Sequence, residues 1–63
     1  MAWYRFYFLD SGGKIAAAEN LEAADDAGAI DATRVVFAGN DYPAYELWQG
    51  SRMVHKEIRI TAS

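Results

Sequence analysis

The chain has 63 residues, no cysteine, one histidine and a formal net charge of −3, with a pI near 4.8. A chain this short is one domain near the lower size limit for folding alone. It has no cysteines for a disulfide and no Cys/His set for a structural zinc, and its charge has the wrong sign for a general nucleic-acid binder.

Residues 2–9, Ala-Trp-Tyr-Arg-Phe-Tyr-Phe-Leu, are aromatic-rich and read as a strand. Asp10-Ser11-Gly12-Gly13 supplies turn chemistry. A second strand from Lys14 to about Asn20 then completes a hairpin. The composition of Ile15-Ala16-Ala17-Ala18-Glu19 leaves residues 14–20 open between strand and helix. The strand is preferred, because a long aromatic strand beside a glycine turn needs a pairing partner.

A helix is expected from about Asp25 to Ala38. Asp25 and Asp26 stand at its positive end, and Gly39 follows the last turn as a left-handed stop. Ala29, Ile30, Thr33, Val36 and Phe37 share one side at helical spacing, while Asp25, Gly28, Asp31 and Val35 face away.

Residues 45–60 read as a second hairpin around a Gly50-Ser51 loop of type II′. That register sets Trp48 opposite Met53 and Leu47 opposite Val54, with Ile58 and Ile60 continuing the face of Val54 and Lys56 interrupting it. The whole chain, 1–63, is then a single α+β domain of order ββαββ. One helix packs on one face of a four-stranded, mainly antiparallel sheet.

One helix covers only one face. Strand alternation separates Tyr4, Phe6 and Phe8 from Trp3, Arg5, Tyr7 and Leu9, and separates Leu47, Val54, Ile58 and Ile60 from Glu46, Trp48, Met53 and His55. With the aliphatic sets under the helix, Trp3, Arg5, Tyr7, Trp48, Met53 and His55 form a candidate interaction face. A contiguous apolar patch of several hundred Å² marks an interface, and Trp, Tyr, Met and Arg are enriched there. The acidic middle (Glu19, Glu22, Asp25, Asp26, Asp31, Asp41) and the mildly basic tail (Arg52, Lys56, Arg59) provide charge that orients a partner.

Other chemistry is weakly indicated. His55 is the one histidine, the residue type suited to acid–base work at physiological pH, and no nucleophile stands at a recognisable spacing from it. Asp10-Ser11-Gly12-Gly13-Lys14 lacks the longer glycine frame and the Ser/Thr that a phosphate loop requires. Asp25-Asp26 lacks the alternating oxygen spacing of a calcium loop. Aromatic side chains on an open sheet suit base stacking, but the basic and glycine residues of sheet-based RNA binders are missing. No catalytic set, metal set or cofactor is read. No apolar run reaches the roughly 18 residues of a membrane span and no signal peptide is read, so a cytoplasmic location is expected.

The segments Tyr4-Arg5-Phe6-Tyr7-Phe8-Leu9-Asp10, Gly13-Lys14-Ile15, Asp25-Asp26-Ala27 and Glu46-Leu47-Trp48-Gln49-Gly50-Ser51-Arg52-Met53-Val54 resemble those of a family of small uncharacterised bacterial proteins, a domain of unknown function. The resemblance covers nearly the whole chain. It departs at the extended loop Asn40-Asp41-Tyr42-Pro43-Ala44 and at Gly28, where alanine is expected. It implies no activity, cofactor or catalytic residue.

The expected function is a non-enzymatic protein-interaction module, a homodimer or a binder of another protein, through the aromatic face or a strand edge. The alternative is a small-ligand sensor whose pocket lies between the aromatic face and the acidic helix. An enzyme using His55 and a nearby carboxylate ranks behind both.

Overall fold

The N-terminal strand β1 (Ala2–Leu9) is an inner strand of the sheet, flanked on both sides by antiparallel neighbours. The computed structural model describes residues 1–59. The elements that follow are β2 (Ile15–Ala23), α1 (Asp26–Ala38), β3 (Ala44–Gln49) and β4 (Arg52–Ile58). They form one four-stranded sheet of order β2-β1-β3-β4, antiparallel throughout, with a single helix, so the α+β fold of order ββαββ is observed.

Asp10 builds the first turn. Its carbonyl accepts from Gly13 N–H at 3.0 Å, and its Oδ1 accepts from the amides of Gly12 and Lys14 at 2.9 and 3.0 Å. Gly13 follows at φ 80°, the left-handed residue that completes a three-residue hairpin loop. The segment after the turn is a strand, as preferred, but it spans Ile15–Ala23, starting after Lys14 and running further than expected. Its partner β1 offers ladder positions as far as Ala2, which pairs with Ala23.

Helix α1 starts as its sequence dictates. The Asp25 carboxylate accepts from Gly28 N–H at 2.8 Å and caps the first turn. The other end differs from expectation. Gly39 has φ −89° and ψ 3°, so it is not left-handed. Instead, the amides of Gly39 and Asn40 donate to Val36 O and Phe37 O, and Asn40 Nδ2 also donates to Val36 O at 2.7 Å. These tight turns satisfy the last carbonyls without a positive φ. The buried stripe is also narrower than expected. Ala29, Thr33 and Phe37 are buried, Ile30 is half-buried, and Val36 is 38% exposed.

The second hairpin turns on Gly50-Ser51. Gly50 has φ 61°, and among the described residues no residue other than glycine has a positive φ, the pattern of a type II′ turn. Trp48 pairs with Met53 as expected, but Leu47 pairs with His55 rather than with Val54. Val54 is an extra residue, a β-bulge, and it packs against the core. The physical reason lies in the helix. Arg52 and Glu57 both reach α1, yet they are an odd number of residues apart and would point to opposite faces of an unbroken strand. The bulge puts both on the same side. It also moves Ile58 to the open face, where it is 62% exposed. The expectation that Ile58 continues the face of Val54 is therefore wrong, and Ile60 lies outside the described residues.

The core sits between sheet and helix: Tyr4, Phe6, Phe8, Ala23, Ala29, Phe37, Tyr45 and Leu47. Phe37 meets Tyr45 with ring centroids 4.8 Å apart, and Phe6 meets Phe8 edge-on at 5.2 Å. Buried Thr33 donates to Ile30 O at 2.9 Å and shares a 3.2 Å hydrogen bond with the Tyr45 hydroxyl, so neither hydroxyl is orphaned.

Candidate interaction face

Strand register fixes what the open face carries. Across the order β2-β1-β3-β4, one row is Asn20, Arg5, Trp48 and Met53. The next is Ala18, Tyr7, Glu46 and Lys56, and the next is Ile15, Leu9, Ala44 and Ile58. Trp3 and Glu22 head the face at its other end. Trp3, Arg5, Tyr7, Trp48 and Met53 are thus brought together on one surface, as their alternation implied. Trp3 is 65% exposed and Met53 44%, while Tyr7 and Trp48 are half-buried by their neighbours.

Polar groups divide this surface. Trp48 Nε1 donates to Glu46 Oε1 at 3.1 Å, and Lys56 Nζ lies 3.6 Å from Glu46 Oε2. The Arg5 guanidinium lies 5.7 Å from the Tyr7 ring centroid, a cation–π contact. Leu9 belongs to this face but is buried, at the end where residues of the β1–β2 turn and Pro43 lie beside it. There Leu9, Ala44, Lys56 and Ile58 line a shallow cleft of about 250 Å³. This cleft is at one end of the open face. The expected pocket between the aromatic face and the acidic helix does not form, because the sheet separates the two.

His55 is not on the open face. The bulge turns it to the helix side, 6.0 Å from the Tyr45 ring centroid. Its Nε2 lies 3.4 Å from Glu57 Oε1, and the same oxygen accepts from Arg34 Nε of α1 at 3.2 Å. Hydrogen bonds from His55 and then Arg34 hold the Glu57 carboxyl below its ordinary pKa.

The sequence reading missed a second anchor. Arg52 donates to both carboxylate oxygens of Asp26, at 3.0 and 3.1 Å, and Tyr4 OH donates to Asp26 Oδ1 at 2.8 Å. These bonds, Arg52 first, lower the Asp26 pKa, and the bond to Asp26 raises that of Tyr4. At the far end of α1, Arg59 donates to Phe37 O, and its guanidinium lies 4.4 Å from the Phe37 ring centroid. β4 therefore ties down both ends and the middle of the helix with Arg52, Glu57 and the adjoining Arg59. The available signal was the odd spacing of charges along β4, and it becomes readable only once the bulge is known. Tyr45, fully buried, was also missed, although it alternates with Leu47.

Among the described residues no group of three or more His, Asp or Glu side chains is placed to hold a metal ion, and no helix is long and apolar enough to cross a membrane. Comparison with protein-family models, with curated proteins and with solved structures found no match for this chain.

Proposed function

We propose that this chain is a non-enzymatic protein-interaction module that associates with a second copy of itself through its open sheet face. One observation carries the reading: Trp3, Tyr7, Trp48 and Met53 share a face that no described element covers, while α1 occupies the other. Uncovered aromatic and thioether side chains that share one face mark interfaces rather than free surface. Four strands about 4.8 Å apart, each with about 3.3 Å per residue, give a footprint of roughly 500 Å². That is the low end of specific interfaces, so association is weak and concentration-dependent. The sole imidazole, His55, has Glu57 and Tyr45 as its neighbours beneath the helix, which favours a structural over a catalytic role. A cytoplasmic location and kinship with the small bacterial proteins of unknown function belong to the same proposal and add no activity.

Light scattering across the micromolar range tests it. A monomer–dimer equilibrium is expected, shifted to monomer by Trp3→Glu, whose site is exposed and tolerates the change, and by Trp48→Ala. A wild-type monomer at high micromolar concentration overturns the reading. The cleft beside Leu9 and Lys56 favours a second reading, a small-ligand site. A thermal shift with an apolar carboxylate, lost in Lys56→Ala, supports that reading; no shift across a broad library overturns it.

A further inference from the structure

We infer that two copies stack open face to open face about a two-fold axis that runs parallel to the strands, midway between β1 and β3. The inference rests on the self-association proposed above and specifies its geometry. A rotation of this kind keeps every row at its own level and reverses the strand order, so β1 faces the second copy's β3 and β2 faces its β4. Each row then meets itself reversed: the inner pairs are complementary, while at the edges Asn20 faces the second copy's Met53 and Ala18 its Lys56. Arg5 lies over the second copy's Trp48, a cation on an indole face. Tyr7 reaches the second copy's Glu46, a phenol hydroxyl on a carboxylate. In the aliphatic row Leu9 meets Ala44, large against small, and Ile15 meets Ile58. These pairings follow from the inferred axis combined with the register observed within one chain. Two-fold contacts are isologous, so each pairing occurs twice.

The other axis in the plane of the face runs across the strands. It lays the aliphatic row on the row of Trp3 and Glu22, and sets a carboxylate against Ile15 with no partner, which is costly. Stacked sheets keep their strands within about 30° of each other. The centre of the face therefore stays aligned while the corners drift.

The absence of cysteine makes the test clean. Asn20 and Met53 share a central row but stand on β2 and β4, three strand spacings or about 14 Å apart in one chain. Asn20→Cys and Met53→Cys are made as separate single variants, both at exposed positions, mixed, and treated with a short bismaleimide. The expected result is rapid cross-linking between the two variants, at least tenfold faster than in either alone or in a mixture of Asn20→Cys with Val35→Cys on the outer side of the helix. Preferential cross-linking of Asn20→Cys to itself overturns the geometry in favour of the axis across the strands. A dimer by light scattering without the mixed product overturns the geometry and leaves the self-association reading intact. A wild-type monomer overturns both.

Discussion

Leu47 stands directly across from His55, and Val54 is accommodated as a bulge between that pair and the Trp48–Met53 pair. One added residue thereby keeps Arg52 and Glu57 on the helix side of the same strand.

Deleting Val54 leaves a continuous ladder in which Trp48–Met53 and Leu47–His55 remain partners. The deletion variant is expected to fold, to keep Glu57 beside Arg34, and to lose about 1–3 kcal/mol from the missing half-buried side chain. Deleting Lys56 instead moves Glu57 and Ile58 to opposite faces and is expected to cost more. Chemical denaturation ranks the two. A Val54 deletion as damaging as the Lys56 deletion contradicts the bulge.

Acid acts on the two helix anchors. Asp26 and Glu57 both have folded pKa values below their ordinary range, for Asp26 through Arg52 and Tyr4 and for Glu57 through His55 and Arg34. A carboxyl with a lowered folded pKa stabilises the fold above its unfolded pKa, and that stability is lost as pH falls through the folded value. Melting temperature should therefore hold steady near neutrality and drop below about pH 4. Arg52→Ala should flatten the drop, and Glu57→Gln should flatten it independently. An unchanged acid limb in Arg52→Ala removes Asp26 from the account.

Thr33 and Tyr45 form a coupled pair. Thr33→Val leaves a fully buried phenol without its partner and should cost about 1–3 kcal/mol. Tyr45→Phe leaves Thr33 its bond to Ile30 O and should cost about 1 kcal/mol or less. The double variant should cost less than the sum of the two, since both polar groups are then gone. Strict additivity in urea titrations would show that the 3.2 Å contact carries no energy.

Gly28 bears on the helix cap. An alanine there gains helix propensity, about 1 kcal/mol. Its Cβ, however, would lie 3.2 Å from Asp25 Oδ1, the atom that caps the Gly28 amide. Gly28→Ala is therefore expected to be nearly neutral, whereas in an Asp25→Ala background the same change should stabilise. A full gain in the wild-type background refutes the crowding.

Helix and strand periodicity carried most of the fold: the aromatic strand, both turns, the Asp25 cap and the α+β order were legible residue by residue. The same alternation placed Trp3, Arg5, Tyr7, Trp48 and Met53 on one face. It failed at His55 and Ile58, because a bulge inverts every assignment beyond it and leaves no local mark on a run such as Arg-Met-Val-His-Lys-Glu-Ile. It failed at Gly39 because the Asn40 side chain took over the capping. The Asp26–Arg52 bond was illegible for a different reason. It joins two elements that only the tertiary fold brings together.

The placement of β1 between β2 and β3 sets an order of events. β1–β2 and β3–β4 are local pairings that close across short turns, whereas Leu9 with Ala44 and Phe6 with Leu47 are distant in the chain and close late. That last seam runs down the middle of the open face, between Arg5 and Trp48 and between Tyr7 and Glu46. Whatever docks on the face spans the seam and holds it shut. On the self-association proposed above, dissociation and unfolding of this small domain become coupled steps, and its folded lifetime should lengthen as its concentration rises.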